Sequence, residues 1–467
     1  MMTANRVYLF AALVVAAVHG YRILVFSPAI SRSHLISCGR IADVLSQAGH
    51  EVVLVEPEYL PLASTMKTAK YAQRIIVQNF TDSFTKGISQ FSAKAFEEIT
   101  VFTTIEKLTV FHEACATMCQ EFLQKDDFIE KLKSYQFDMY FGEQITLCGT
   151  ALAHVLGIKT HMWVSRSEFP DVDDIAKHSP IVFVAADELV DFPRPTLHNV
   201  VYIGGLGMSH KVKPLEEPIK SEMEKGEKGV VFFSFGSNVK TNILPIEVRQ
   251  CMLNAIAAFP EYHFILKHED LDTVIPEAAK NVKNVYVTTW APQTDILSHP
   301  RTKAFITHAG YNSLMEAALA GVPLVSIPFF FDQVRNAHVP ERNGWGVFCP
   351  KKSLLEGPEK LIESLRKILE EPEFKKNALR IQHLISSKPL SAEEKLIKYT
   401  KFVGENGGRL PELQHSALNL NLFVYFNLDI FMPLACVLLF TVSSALVLLV
   451  RLLKIVLSVR TTKVKKS

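Results

Sequence analysis

Short apolar runs alternate with amphipathic stretches in the first part of the chain. Residues 22–26 form an apolar run typical of a buried parallel strand, and a helical stretch over about 33–47 and a stop at Gly49 follow it. The alternation then continues, which predicts repeated strand–helix–strand units. The predicted strands of this half are 22–26, 51–55, 137–141, 159–164, the strand-like 181–187 and 200–203.

A charged stretch, 208–228, separates this half from a second series of the same kind. It contains two prolines and no sustained apolar period, so we interpret it as an interdomain linker. Helical stretches such as 247–258 and 358–369 lie between the strands beyond it. The predicted strands of the second half are 230–236, 263–267, 284–290, 303–307 and 323–328.

This alternation predicts an α/β fold with two doubly wound, Rossmann-like parallel sheets. Two such halves joined by a linker predict a cleft between them. Because ligands of open α/β sheets bind beyond the carboxyl ends of the strands, the cleft is where we expect the functional site.

The two ends of the chain differ from this body. Residues 1–20 have the form of a secretory signal, with Arg6 followed by an apolar run and small residues before Tyr21. An uncleaved anchor is the alternative, although the run is shorter than the roughly 20 apolar residues that a span needs. Residues 430–450 are 21 residues without a charge, which predicts one transmembrane helix.

The net charge of +2 is the sum of unequal parts. Residues 451–467 contain six basic residues and no acid, and Arg6 is the one charge before Tyr21, which leaves 21–450 with a net charge of −5. An acidic body disfavours binding to nucleic acid. The basic flank predicts a cytoplasmic tail and therefore a lumenal body. Lys463 and Lys465 have the spacing of a dilysine retrieval signal for the endoplasmic reticulum, and an ordinary basic flank is the alternative.

The remaining motifs are sparse. Asn79 begins the one Asn-x-Ser/Thr sequon, a glycosylation acceptor in a lumenal body. Cys115 and Cys119 lie four apart on a predicted helix, where we expect core packing, and the cysteine positions assign no disulfide. Asp171 and Asp173 form a D-x-D triplet far from the other candidate chemistry, so we expect no metal site there.

The most informative segment is 290–333. A predicted strand leads to His308, and a helix begins a few residues later. This arrangement leaves backbone N–H groups and the positive end of a helix dipole facing the cleft, a site suited to phosphate. His308 and Ser313 add side-chain donors, and Gly310 allows close approach. The alternative for Ser313 and Glu316 is a capping box that only begins the helix.

Other strand ends of the same half carry complementary chemistry. Trp290 ends one strand, where it is suited to stacking on a planar base. Asp332 and Gln333 follow another strand and are suited to sugar hydroxyls, while Ser237 lies in a small-residue turn after the first strand. The sequence therefore predicts a crevice suited to a base, a ribose, a diphosphate and a sugar.

The order and spacing of these residues closely resemble the signature of the UDP-glycosyltransferases, in the membrane-bound glucuronosyltransferase-like branch. The matching residues are Trp290, Ala291, Pro292, Gln293, Leu297, His299, Pro300, Phe305, Thr307, His308, Gly310, Ser313, Glu316, Ala317, Pro323, Pro328, Asp332, Gln333, Asn336 and Ala337. The resemblance extends over most of the chain. It implies a GT-B fold, with an N-terminal acceptor domain and a C-terminal nucleotide-sugar domain.

The resemblance also implies a role for each matched position. The implied ligands are Trp290 and Gln293 for the uridine; Ser237, His308, Gly310, Asn312 and Ser313 for the diphosphate; Glu316 for the ribose; and Asp332 and Gln333 for the transferred sugar. The UDP-sugar is a co-substrate, and neither a cofactor nor a metal is implied.

Transfer to a hydroxyl needs a base, and His34 is the candidate. It lies just after the first strand, at the start of the first helix, and its ordinary pKa suits a base at neutral pH. The family pairs this base with an aspartate that orients the imidazole. Here the matching position is Glu143, one methylene longer, so its carboxylate must approach from elsewhere.

A second departure concerns length. Only 16 residues separate the predicted strand 159–164 from 181–187, where the family usually has a much longer segment that helps to shape the acceptor side. This puts the acceptor pocket in doubt but not the nucleotide site. Two hypotheses follow: an active transferase that acts on small lipophilic acceptors, or a non-catalytic partner that binds the UDP-sugar or pairs with full-length relatives.

The sequence thus divides into a signal, an acceptor domain, a linker, a UDP-sugar domain, a juxtamembrane segment, a transmembrane helix and a basic tail. The predicted bounds, in the same order, are 1–20, 21–207, 208–228, 229–405, 406–429, 430–450 and 451–467. We expect a single-pass type I protein of the endoplasmic reticulum membrane with lumenal catalytic domains. The expected partners are UDP-glucose or UDP-glucuronate, a lipophilic acceptor, and further copies or relatives of the chain.

Overall fold

The computed structural model of the chain describes residues 20–82, 84–86, 101–143, 146, 148–165, 179–208, 212–237, 239–330, 332–414 and 420–464. It divides into a body that extends to Pro411 and a separate unit from Glu412 onward. The predicted signal lies outside the described residues, apart from Gly20.

The first half of the body is built on a seven-stranded parallel sheet in the order β3-β2-β1-β4-β5-β6-β7. Its strands are β1 (Arg22–Phe26), β2 (Glu51–Pro57), β3 (Gln73–Val77), β4 (Met139–Glu143), β5 (Thr160–Ser165), β6 (Val182–Val184) and β7 (Val200–Tyr202). Its helices are α1 (Arg32–Gln47), α2 (Val101–Leu123), α3 (Asp126–Ser134) and α4 (Cys148–Val155). The strand order reverses between β1 and β4, so loops from both strands open into the crevice beyond their carboxyl ends.

The second half is built on a six-stranded parallel sheet in the order β10-β9-β8-β11-β12-β13. Its strands are β8 (Gly229–Ser234), β9 (Tyr262–Lys267), β10 (Val285–Thr288), β11 (Thr302–Thr307), β12 (Leu324–Ser326) and β13 (Gly346–Phe348). Its helices, with those that follow them, are α5 (Ile219–Met223), α6 (Ile246–Ala257), α7 (Val274–Ala279), α8 (Gln293–Ser298), α9 (Tyr311–Ala320), α10 (Gln333–Arg342), α11 (Ser353–Glu356), α12 (Glu359–Glu370), α13 (Pro372–Ser386) and α14 (Ala392–Glu405).

Burial follows from the strand composition. The residues of β8 are buried on both faces, because helices cover each side of the sheet. Phe233 and Phe264 belong to the apolar cluster on one face, and Phe232 and Phe305 stack in the cluster on the other. These two apolar layers fix the strand ends from which the site residues project.

Two segments connect the halves. The stretch 208–228 was interpreted from the sequence as a linker. Its described part, 212–228, contains α5, whose Ile219 and Met223 are buried against the second half. The last helix of the body, α14, returns to the first half and packs on α1, where Gly404 lies against Tyr21 and Met139.

The expectation of simple core packing for Cys119 was wrong. Cys119 of α2 forms a disulfide with Cys148, the first residue of α4, while Cys115 is buried nearby as a free thiol. The bridge joins α2 to α4, the helix that follows β4. No spacing rule could have assigned it, because the two helices meet only in the folded chain.

The C-terminal unit contains a short helix, α15 (Leu422–Tyr425), and a 37-residue helix, α16 (Leu428–Val464). Within α16, Leu428–Ile455 is long and apolar enough to cross a membrane. This stretch contains the predicted span 430–450.

Candidate functional site

His34 and Glu143 meet beyond the carboxyl ends of two adjacent strands. The chain leaves β1, turns, and begins α1 with Ser31 as N-cap, whose side chain accepts a hydrogen bond from the His34 backbone N–H at 3.4 Å. Glu143 is the last residue of β4, which pairs with β1. The Nδ1 atom of His34 contacts Oε2 of Glu143. The extra methylene of the glutamate therefore does not prevent the contact.

The surroundings of this pair suit a polarised imidazole. The Glu143 side chain is 2% exposed and that of His34 is 13% exposed, so water screens their interaction weakly. A carboxylate against Nδ1 favours the tautomer that carries its proton there and donates it to the carboxylate. The Nε2 atom is then the nitrogen with a free lone pair, able to accept a proton.

His308 lies in a narrow slot between two glycines. It follows β11, and a Cβ atom placed on Gly236 would lie 2.5 Å from its Cε1 atom. A Cβ atom on Gly310 would lie 2.4 Å from its Nε2 atom. Glycine is therefore required on both sides of the ring, and the turn after β8 and the loop after β11 close around one imidazole.

The charge state of His308 follows from this burial. Burial, together with the nearby Lys267 ammonium, lowers the pKa of His308 to about 4, so the ring is neutral at physiological pH. A neutral imidazole still has one N–H group to donate. Lys267 ends β9, and its Nζ atom donates to the Gly236 carbonyl at 3.2 Å and to Oε1 of Glu269 at 3.1 Å.

Sequence reasoning missed Lys267 as a site residue. The signal was present, because it is the one charged residue at the carboxyl end of the predicted strand 263–267 and so lies at the same sheet edge as His308. A lysine there places a positive charge beside the turn after β8, through its hydrogen bond to the Gly236 carbonyl.

The first turns of α9 and α8 are joined by side chains. The Gln293 amide donates to Oγ of Ser313 at 3.1 Å and to Oε2 of Glu316 at 2.5 Å. The N-cap of α9 is Gly310, with no side-chain cap hydrogen bond, so the capping-box alternative for Ser313 and Glu316 does not hold. Burial raises the pKa of Glu316, while Gln293 and the positive charge of Arg40 oppose this rise.

The other predicted ligands differ in exposure. Trp290 is 70% exposed beyond β10, and Ser237 and Asp332 are also exposed, at the ends of their loops. Asn312 is half-buried in the first turn of α9. Gln333 is buried, and its Oε1 atom accepts hydrogen bonds from the backbone of Phe329 and Phe330 at 3.0 and 3.3 Å. Its amide oxygen is therefore engaged by the loop before α10.

Two further predicted features lie away from this crevice. Asn79 is exposed after β3, and its carbonyl accepts a hydrogen bond from Lys125 at 3.2 Å. The D-x-D triplet at 171–173 lies outside the described residues. Among those that are described, no group of three or more His, Cys, Asp or Glu side chains is arranged to hold a metal ion.

Comparison with known sequences identifies a matching protein family and several similar proteins. The family described as UDP-glucuronosyl and UDP-glucosyl transferase matches residues 22–172 and 166–463. A Caenorhabditis elegans protein named as UDP-glucuronosyltransferase ugt-48 is 37% identical over 89% of this chain and 92% of its own length. A Caenorhabditis briggsae protein named as ugt-47 is 36% identical over 94% of each chain.

The same matches bear on the short segment after β5. The two parts of the family match meet at 166–172, within that segment. The alignment with the Caenorhabditis briggsae protein runs over 507 positions, more than the 467 residues of this chain, so that relative has residues that this chain lacks.

Solved structures support the architecture. A UDP-glucosyltransferase from Polygonum tinctorium, described as capable of glucosylating indoxyl and solved with 3,4-dichloroaniline, superposes with a TM-score of 0.62 over 83% of this chain and 99% of its own. At 16% identity this likeness shows the fold alone, and that fold is GT-B. With the family match over nearly the whole body and relatives above 30% identity, the chain belongs to the UDP-glucuronosyl and UDP-glucosyl transferase family and is a UDP-glycosyltransferase.

Proposed function

We propose that the enzyme moves a hexose, glucose or glucuronic acid, from a UDP-sugar to a hydroxyl of a small lipophilic acceptor by a single inverting displacement. The observation that carries this proposal is the contact between His34 Nδ1 and the buried Glu143 carboxylate. That pair supplies a base on the acceptor side of the crevice, and the second half supplies the phosphate-binding loops.

In the proposed step, His34 takes the proton of the acceptor hydroxyl on Nε2 while the acceptor oxygen attacks the anomeric carbon. The bond from that carbon to the β-phosphate oxygen breaks, and UDP leaves with the bonding electron pair. Glu143 stabilises the imidazolium that forms, as the carboxylate does in hydrolase triads. Attack from the face opposite the leaving group inverts the anomeric configuration.

In this proposal, the second half provides positive charge and hydrogen-bond donors for the negatively charged diphosphate. The N-terminal turn of α9 presents free N–H groups to the departing diphosphate, with His308 and Ser313 as further donors. Lys267 contributes a positive charge beside Gly236. We assign the remaining contacts as the resemblance implies: Trp290 and Gln293 to the uridine, Ser237, Gly310 and Asn312 to the diphosphate, Glu316 to the ribose, and Asp332 and Gln333 to the sugar.

The hydrogen bonds of Gln333 limit how it could contact the proposed sugar. Its amide oxygen is held by the backbone of the preceding loop, so the group available to the sugar is the Nε2 donor. Asp332, which is exposed at the start of α10, supplies the acceptor. The proposed sugar site therefore combines one donor and one carboxylate on adjacent residues.

We further propose that the body is lumenal and anchored in the endoplasmic reticulum membrane by Leu428–Ile455, with Asn79 glycosylated. The Cys119–Cys148 disulfide supports an oxidising compartment, because cytosolic thiols are kept reduced. The basic residues after the span support a cytoplasmic tail. Asn79→Gln tests this: a glycosidase that removes N-linked glycans should shift the wild type on a gel and leave the variant unchanged.

The experiment that tests the main proposal is an assay of the full-length chain with UDP-glucose and UDP-glucuronate against a panel of phenols. We expect formation of glycoside and release of UDP with at least one pair, and loss of both in His34→Ala. Tight UDP binding without turnover that depends on His34 would contradict the proposal. It would favour the non-catalytic alternative, which the short segment after β5 and the glutamate at position 143 support.

A further inference from the structure

A segment of the first half is built into the core of the second. Residues 185–194, here called the clasp, leave β6 and run across the second half before the chain returns to β7. Val190 is fully buried in the apolar cluster that also contains Leu314 and Met315 of α9. The clasp is therefore anchored in the donor half, although its chain belongs to the acceptor half.

The hydroxyl of Tyr311 binds the clasp backbone. Tyr311 is the first residue of α9, next to Asn312 and Ser313 of the donor site. Its Oη atom accepts a hydrogen bond from the Asp187 N–H at 2.6 Å and donates one to the Val190 carbonyl at 3.4 Å. One hydroxyl thus satisfies a donor and an acceptor of the clasp at the helix end that faces the diphosphate.

Two buried carboxylates make the other attachments. The Asp191 side chain is 3% exposed, and its Oδ1 atom lies 2.5 Å from Arg335 of α10, the helix that begins beside Asp332. The Phe192 ring lies beneath the Arg335 guanidinium, 5.3 Å from centroid to Cζ. Asp187 bonds Lys388, which follows α13, at 2.6 Å. The clasp therefore contacts two of the helices, α9 and α10, whose first turns carry proposed donor ligands.

The turn after β7 is fitted against the other side of the clasp. A Cβ atom on Gly204 would lie 2.3 Å from the Asp187 nitrogen, and one on Gly205 would lie 3.3 Å from the Met315 side chain. The paired glycines of the sequence YIGGLG are therefore wedged between the clasp and α9, which leaves little room for the halves to shift along this contact.

We propose that the clasp sets the position of the acceptor half, and hence of His34, relative to the first turns of α9 and α10, and that Tyr311 and Asp191 are positioning residues for transfer. The inference rests on the transfer reaction proposed above. Reacting groups held on two different halves need a fixed separation, since a displacement of about 1 Å can cost about 100-fold in rate. The clasp is a direct covalent and hydrogen-bonded route between the two.

The test uses Tyr311→Phe, which removes only the hydroxyl, and Asp191→Asn, which removes only the charge, in the full-length chain. The matched control is Glu222→Gln. This change removes the charge of a buried carboxylate that also contacts a basic side chain. The Oε2 atom of Glu222 lies 2.7 Å from Nε2 of His263, near the amino end of β9. Turnover, UDP affinity, melting temperature and the ratio of UDP released to glycoside formed are measured for each.

We expect turnover to fall about tenfold in both clasp variants, with UDP affinity changed less than about twofold. The ratio of UDP released to glycoside formed should rise, because water competes better with a misplaced acceptor. The control should lower only the melting temperature. The Asp191→Asn and Arg335→Gln changes should be partly non-additive, since both weaken the Asp191–Arg335 contact, although Asp191 also pairs with Arg194 at 3.3 Å. The proposal would be overturned if the clasp variants lost turnover and UDP affinity together. It would also be overturned if the effects of Asp191→Asn and Arg335→Gln on turnover were fully additive.

A second measurement needs no turnover and so separates this proposal from the proposed function. In Tyr311→Phe, the Asp187 amide loses its acceptor and its hydrogen exchange should accelerate at least about tenfold, while the amides of β2 keep their wild-type rates. Unchanged hydrogen exchange at the Asp187 amide would contradict the proposed role of the clasp, even if the enzyme were active. Inactive wild-type enzyme would contradict only the transfer reaction.

Discussion

Two histidines occupy comparable places in the two sheets and have opposite environments. His34 follows β1, and its Nδ1 atom contacts the Glu143 carboxylate. His308 follows β11, the slot between Gly236 and Gly310 encloses its ring, and Lys267 is the nearby charge. The carboxylate orients the His34 imidazole with its proton on Nδ1, whereas burial beside a cation keeps the His308 imidazole neutral. In our proposal, the same residue type acts as a base in the first half and as a neutral hydrogen-bond donor in the second.

The largest effect on turnover should come from changes to His34 and Glu143. Because general-base catalysis contributes about 10²- to 10⁴-fold, His34→Ala should lower turnover about 1000-fold. The double change His34→Ala with Glu143→Gln should lower it no further, since the carboxylate acts only through the imidazole. The measurement is glycoside formation at saturating donor. A double variant much slower than His34→Ala would show that Glu143 has an independent role.

A smaller effect is expected from shortening the acid. Glu143→Asp keeps the charge but withdraws the carboxylate by one methylene from His34, whose backbone α1 holds in place. We expect turnover to fall about tenfold and UDP affinity to stay unchanged. Wild-type turnover in the variant would mean that the observed contact does not set the position of the ring.

The donor-side slot is tested by a matched pair of glycines. Gly236 and Gly157 have similar positive φ angles, +72° and +69°, but a Cβ atom meets His308 only at the first and no atom within 4 Å at the second. Both changes to Ala should cost about 1 kcal/mol of stability through the left-handed backbone. Only Gly236→Ala should also weaken UDP binding, by about tenfold. If Gly236→Ala and Gly157→Ala had equal UDP affinities in titration calorimetry, the slot around His308 would have no role in UDP binding.

A further prediction concerns stability in acid. A histidine with an ordinary pKa near 6.5 when unfolded and about 4 when folded takes up its proton only on unfolding between these values. His308 therefore leaves stability unchanged above pH 6.5 and lowers it as the pH falls towards 4, by about 1.4 kcal/mol per pH unit. His308→Asn should flatten the melting temperature between pH 6.5 and 4.5. Parallel curves for the two proteins would contradict the lowered pKa.

Much of the fold follows from local pattern, and its exceptions have physical causes. Apolar runs predicted β1, β2, β8, β9 and β11 to within two residues. The strands β3 and β13 were missed, because QRIIV opens with polar residues at a sheet edge and GVF is only three residues long. Edge and very short strands need few buried side chains, so periodicity does not reveal them.

The proposed donor site depends less on the folded structure than the His34–Glu143 pair does. Most of its residues lie within the continuous segment 290–333, so sequence spacing alone predicts that they lie close together. Lys267 and Gly236 come from other strands, and only the sheet order shows that they surround His308. His34 and Glu143 are 109 residues apart, and their meeting depends on β1 pairing with β4. The buried state of Gln333 depends on packing of the loop before α10, which no sequence pattern reports.

The most direct test of the division between the two histidines is the UDP dissociation constant of His34→Ala and of His308→Ala, measured side by side by calorimetry on the full-length chain. We predict a wild-type constant for His34→Ala and a constant raised about tenfold or more for His308→Ala, since only the second residue lies at the loops that we propose bind the diphosphate. Weak UDP binding by His34→Ala together with wild-type binding by His308→Ala would contradict the account.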